Sequence, residues 1–159
     1  MSRSTKTYWS GSTYEGEMKG GKREGKGRKT WKNGDVYEGE WKNDKKDGQG
    51  KLVLGTGNRY EGAWRNGLQH GHGMLWYTDG SSYKGEWVRG KAEGQGMFVK
   101  ANGNVYEGSY MEDKCHGYGK YTCTNGRFYE GEWKHGMKSG KGVYSWEDGR
   151  LFQGTFVLD

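Results

Sequence analysis

Several residue groups in this sequence have the types and spacing that chemistry requires. "GGKREGK" sets Gly20, Gly25 and Lys26 in the G-x-x-x-x-G-K order of a phosphate-binding loop, where backbone N–H groups and an ammonium cradle the anion. Gly27 follows where a Ser or Thr would reach magnesium, and no helix pattern follows it. "HGHG" sets His70 and His72 on one strand face, while Cys115, His116 and His135 could offer zinc a thiolate and two imidazoles. Three ligands fall one short of a closed tetrahedral site, so loop polar groups beside a spare thiol are the simpler reading, and no metal or cofactor is expected. Glu15 with Glu17, Glu38 with Glu40, and Glu130 with Glu132 have the closeness of an acid and base pair. Three equal pairs beside basic residues read instead as solvated charge pairing. No Ser, His and Asp set or Cys and His dyad stands out, so the chain is expected not to be an enzyme.

The element that must position these residues announces itself by repetition. "YEGEW" occurs at Tyr37 and Tyr129, with "YEGAW" at Tyr60, "YKGEW" at Tyr83, "YEGEM" at Tyr14, "YEGSY" at Tyr106 and "FQGTF" at Phe152. Every start lies 23 residues after the last, which marks a repeat array. Six full repeats begin at 14, 37, 60, 83, 106 and 129, and a partial seventh begins at 152. Residues 1–13 are expected to form an N-terminal capping strand, and 14–159 the array. The period also separates His70 from His116 by two repeats, roughly 19 Å at ~4.8 Å per strand, too far to share an ion.

Composition bounds the class. A hydrophobic content of 30% and a mean hydropathy of −1.20 would suit a disordered chain, but eight Trp, twelve Tyr and four Phe would not. No apolar run is long enough to cross a bilayer and the N-terminus lacks a signal-peptide core, so a soluble cytoplasmic protein is expected. Cys115 and Cys123, too far apart along a strand to bridge, are expected to be free thiols. The net charge is +6, with fourteen Lys or Arg against eight acids in residues 1–59 and twelve of each beyond. Aromatics beside cations could stack bases, yet the aromatics run the full length while the basic excess does not, so nucleic acid is not expected.

Within one repeat, Y-E-G-E-W alternates Tyr, Gly and Trp on one face with two Glu on the other, and G-x-G opens a second strand. "NG" at Asn33, Asn102 and Asn125 and "DG" at Asp79 and Asp148 predict tight hairpin turns with positive φ at both residues. There is no proline and no 3.6-residue apolar period, so the expected fold is all-β. It is a single-layer antiparallel meander of hairpin repeats, with about thirteen strands from the array. Such a sheet is expected to be elongated, twisted or curved, with an aromatic-lined trough. Facing Trp41 to Gly50 predicts Gly39 opposite Leu52 and Tyr37 opposite Leu54, and on the other face Glu17 opposite Arg28, Glu40 opposite Lys51 and Ala63 opposite Met74. Ala63, Met74, Trp76, Met97 and Val99 predict an apolar patch on the charged face.

The repeat resembles the MORN repeat (membrane occupation and recognition nexus), whose pattern Y-E-G-E-W-x-x-G-x-x-x-G-x-G is nearly matched by "YEGAWRNGLQHGHG" from Tyr60. The resemblance implies a non-catalytic scaffold in cytoskeletal or membrane-proximal assemblies that holds a helical or extended partner segment in its trough. It also implies self-association, as a possible homodimer. Trough candidates are Tyr60, Trp64, Leu75, Tyr77, Tyr83, Trp87 and Phe98, continuing through Tyr106, Tyr110, Tyr121, Tyr129, Trp133 and Tyr144. An alternative function is a tether to an anionic phospholipid (phosphoinositide) membrane through Lys19, Lys22, Arg23, Lys26, Arg28, Lys29 and Lys32. A second alternative is a targeting module of a larger enzyme.

Overall fold

The computed structural model describes residues 2–157. They form fourteen strands, and none of them forms a helix long and apolar enough to cross a membrane. The chain divides into two compact units, one ending at Thr78 and one beginning at Asp79. The first contains β1 (Ser2–Thr7), β2 (Thr13–Lys19), β3 (Lys22–Thr30), β4 (Val36–Lys42), β5 (Lys45–Val53), β6 (Arg59–Arg65) and β7 (Leu68–Trp76). The second contains β8 (Ser82–Val88), β9 (Lys91–Val99), β10 (Val105–Met111), β11 (Lys114–Thr122), β12 (Phe128–Lys134), β13 (Met137–Ser145) and β14 (Leu151–Phe156). Within each unit every strand pairs antiparallel with the next, so each is a single-layer meander.

The array supplies β2 to β14. The fourteenth strand, β1, stands in the register of a second repeat strand, with Ser4 opposite Gly16 as Gly27 is opposite Gly39. The turn after it also copies the later ones, since Tyr8 N–H donates to the Ser12 carbonyl as Trp31 N–H donates to that of Asp35.

Two turn types alternate, and the positive φ angles fall differently from the sequence expectation. The "NG" and "DG" turns place only their Gly in the left-handed region, as at Gly34 (φ +89°). Asn33 instead accepts the Asp35 N–H at 3.1 Å, and Asn102 and Asp148 do the same two residues on. The two-residue turns with positive φ at both positions lie inside each repeat, as at Asn43 (47°) with Asp44 (67°), and His135 (51°) with Gly136 (87°).

The register is also corrected, by two residues. Tyr37 is opposite Leu52, Glu38 opposite Lys51, and Gly39 opposite Gly50, after which a bulge sets Trp41 opposite Lys46. The first Gly of G-x-G makes that bulge, as at Gly48 (φ +99°). The second Gly meets a Gly, and not a bulky neighbour, because the Tyr ring of the same repeat lies across both: a Cβ on Gly50 would sit 2.5 Å from Tyr37 Cζ. The shift replaces each expected charged-face pair. Glu15 faces Arg28, Glu38 faces Lys51 and Glu61 faces Met74.

Candidate functional site

On the aromatic face, each repeat Tyr folds over its glycine pair and donates its hydroxyl to the carbonyl three residues on, as Tyr37 does to Glu40 at 3.0 Å. The Trp rings reach across to the preceding strand: Trp41 Nε1 donates to the Gly27 carbonyl at 2.9 Å, Trp64 to Gly50 at 3.1 Å and Trp133 to Gly119 at 3.0 Å. The rings then meet edge to face. Tyr37 packs on Trp41 at 5.0 Å and on Trp64 at 5.3 Å, and Tyr106 packs on Tyr110 and Trp133 at 5.2 Å each. In a single-layer sheet this ring packing is the core.

The trough candidates therefore fall into two sets. Tyr60, Trp64, Tyr83, Trp87, Tyr106, Tyr110, Tyr129 and Trp133 are all buried. Burial raises the phenols of Tyr60, Tyr83 and Tyr106 above the ordinary tyrosine range. Leu75 in the first unit and Phe98, Tyr121 and Tyr144 in the second are half-buried on the same face, and Tyr77 is exposed. Only this second set presents apolar surface to solvent. In the first unit, a groove of about 870 Å³ lies on the opposite, charged face. It is floored by Gly27, Gly39, Gly50 and Gly62 and edged by Glu15, Glu38, Glu61, Arg28 and Lys51.

The seven basic candidates do not form one cluster. Lys26 and Arg28 lie on the charged face opposite Glu40 and Glu38. Arg23 and Lys29 lie on the aromatic face, opposite Met18 and Tyr37. Lys19 and Lys22 flank the β2–β3 turn, and Lys32 sits in the turn after β3. Arg23 is taken by Asp44, with Nε 2.9 Å from the carboxylate and an N–H donated to its carbonyl. Burial opposes ionisation of Asp44, but the Arg23 hydrogen bonds outweigh it and hold the carboxyl below its usual range. Lys46, absent from the sequence reading, has its Nζ 3.8 Å above the Trp64 ring, and burial pushes its pKa down to about 8.

The carboxylate pairs split by role. Glu40 accepts the Gln49 N–H at 2.8 Å, and Glu17, Glu86 and Glu132 do the same for Lys26, Gln95 and Lys141. These glutamates cap the amide that the bulge leaves open, a structural role that the reading as solvated pairs missed. An acid recurring three residues after Tyr and folded toward the bulge glycine is the signal. The first Glu of each pair stays on the open face, where Glu130 meets Lys120 at 3.0 Å.

The cap also settles the phosphate-loop match: Glu17 occupies the Lys26 amide that a phosphate would need, at 2.9 Å. Cys115 and His116 alternate on their strand. Burial raises the Cys115 thiol, while the His116 and His135 rings lie 5.4 Å apart. Among the described residues no group of three metal-ligating side chains converges, and both cysteines are free. On the charged face, Trp76 in the first unit is covered by the Arg59 guanidinium at 4.0 Å, while Met97 in the second is exposed.

Compared by sequence with curated proteins, the chain has no significant match. Among solved structures it is similar to the TCP domain of SAS-4 (dCPAP) from Drosophila melanogaster, in complex with a proline-rich motif of Ana2 (dSTIL). The identity is 12% and the TM-score 0.53, over 97% of this chain and 90% of that one. It is also similar to the TCP10 domain of Danio rerio CPAP, at 11% identity and TM-score 0.56, over 96% of this chain and 72% of that one. At such identities the likeness is one of fold. The MORN repeat itself matches residues 14–36, 37–59, 60–82, 83–105, 106–126 and 129–149. A pattern that recurs in every full repeat and accounts for the ring packing and the glycine pairs makes this chain a member of the MORN-repeat family.

Proposed function

We propose that the chain is a non-catalytic scaffold whose aromatic face docks an extended or helical segment of a partner protein. The observation that carries this is the half-buried row standing above the packed rings, Leu75 in the first unit and Phe98, Tyr121 and Tyr144 in the second. Aromatic side chains on a rigid sheet make strong anchors, because their fixed backbone removes much of the ordering cost of binding. A structural neighbour of the same fold that is in complex with a proline-rich motif supports the reading. The buried Tyr and Trp candidates act beneath this row as its support. In a cell the scaffold would serve a cytoskeletal or membrane-proximal assembly.

The test is affinity capture from extract with the wild type and with Phe98→Ala and Tyr121→Ala. Truncated anchors of this kind typically weaken binding by about 2 kcal/mol or more. Loss of the captured protein with an unchanged β circular dichroism spectrum supports the reading, and full retention refutes it. The phospholipid tether is the weaker reading. Lys26 and Arg28 face glutamates and Arg23 is held by Asp44, so few of the seven cations remain to meet a headgroup.

A further inference from the structure

The two faces of the first unit differ in charge: Lys26, Arg28 and Lys51 balance the glutamates on one, while the aromatic face carries cations among rings. Register places Lys6 opposite Tyr14, Lys29 opposite Tyr37, Arg23 opposite Met18 and Lys46 opposite Trp41, so all four cations share the aromatic face. Strand alternation sends Glu15, Glu17, Glu38, Glu40 and Glu61 to the other side. Arg23 is neutralised by Asp44 at 2.9 Å. Among the described residues, Lys6, Lys29 and Lys46 have no carboxylate within 4.0 Å.

What these three ammonium groups do have is rings. Lys6 and Lys29 both approach Tyr8, at 5.1 and 4.9 Å from its centroid, and Lys29 is also 4.9 Å from Trp31. Lys46 lies 3.8 Å over Trp64 and 5.5 Å from Tyr37. Position also matters: Lys29 occupies the place held by Leu52 and Leu75 in the next two repeats. A cation set among rings in an apolar row is incompletely solvated and unpaired, as the lowered pKa of Lys29 and Lys46 reflects.

We infer that the aromatic face of the first unit takes an acidic peptide segment in an extended conformation, its carboxylates meeting Lys6, Lys29 and Lys46 and its apolar side chains meeting Leu52, Leu75 and the rings. This deepens the docking role proposed above and rests on it. Lys6 and Lys29 are one repeat apart, about 9.6 Å at ~4.8 Å per strand, which a chain in the extended polyproline-II form crosses in three residues at ~3.1 Å each, with residues i and i+3 on one side. Carboxylates three residues apart therefore fit. A lipid headgroup fits less well, because Lys29 and Lys46 are half-buried between rings and do not project toward a flat surface.

The test is fluorescence anisotropy of the full chain with a dye-labelled (Glu-Ser-Leu)4 peptide, the matching (Gln-Ser-Leu)4 peptide and phosphatidylserine vesicles. The Glu peptide is expected to bind at least tenfold more tightly than the Gln peptide, and to weaken as salt rises. Lys29→Met with Lys46→Met, which keeps the aliphatic stems on the rings, is expected to erase that difference with circular dichroism unchanged. Should the double variant unfold, the Glu against Gln ratio and the salt dependence of the wild type decide the matter. Equal binding of both peptides overturns the acidic partner and leaves the docking face standing. Binding of neither peptide overturns the inference, and capture by the Phe98 and Tyr121 variants then judges the docking face separately. Vesicle binding that needs Lys29 and Lys46 while the Glu peptide fails overturns it in favour of lipid.

Discussion

Gly50→Ala tests the ring-over-glycine packing on which the whole sheet depends. The added Cβ would sit 2.5 Å from Tyr37 Cζ and 2.6 Å from Cε2, closer still to the hydroxyl. Carbon atoms in contact sit about 3.5–4.0 Å apart, so the ring must withdraw by about 1 Å. It has nowhere to go. Tyr37 is 0% exposed, flanked by Trp41 at 5.0 Å and Trp64 at 5.3 Å, and its hydroxyl is tied to the Glu40 carbonyl at 3.0 Å. Overpacking of this kind costs about 1–3 kcal/mol, and a displaced hydroxyl forfeits about 1 kcal/mol more. The φ of Gly50 is not positive, so no backbone strain adds to the sum. The expected loss is about 2–4 kcal/mol. In a Tyr37→Ala background the same substitution is expected to be neutral or to stabilise by about 0.5 kcal/mol, because glycine weakens a strand interior. Urea unfolding followed by circular dichroism on the four chains completes the cycle. A Gly50→Ala loss below about 0.5 kcal/mol, or an equal loss with and without the Tyr37 ring, refutes the packing argument.

Three further outcomes are expected. Glu40→Ala should lower stability by about 1 kcal/mol by freeing the Gln49 amide, while Glu38→Ala stays within about 0.5 kcal/mol; equal effects in urea unfolding would contradict the cap. Lys46 titrates near 8 when folded and near ~10.4 when unfolded, so the unfolded chain binds more protons between those values and stability rises with pH there. The wild-type Tm should therefore climb relative to Lys46→Met between those two pKa values, and a constant difference would argue against a desolvated amine. Finally, β14 pairs only with β13 among the described residues and exposes Leu151 and Phe152, so it is expected to drive self-association. A monomer by light scattering at high micromolar concentration would count against that.

The sequence by itself determined the repeat length, the all-β class, the family and the face that carries the rings. A strict 23-residue period with alternating Tyr, Gly and Trp admits one local solution, and each repeat states it again. Register needed the tertiary structure, because the bulge at Gly48 adds residues to one strand only, and simple alternation across the hairpin misplaces every partner by two. With the register came the roles. Glu38 and Glu40 are the same residue type two positions apart, yet one faces Lys51 and the other folds onto the Gln49 amide. Tyr60 and Tyr121 are equally plausible anchors on paper, but ring packing buries the first and leaves the second half-buried. The basic N-terminal third reads as one patch along the chain. Strand alternation deals its cations to two faces, where the Tyr-bearing one sets Lys6, Lys29 and Lys46 among rings, with no carboxylate within 4.0 Å among the described residues. Linear order records charge, and only the pairing of strands decides which charges meet.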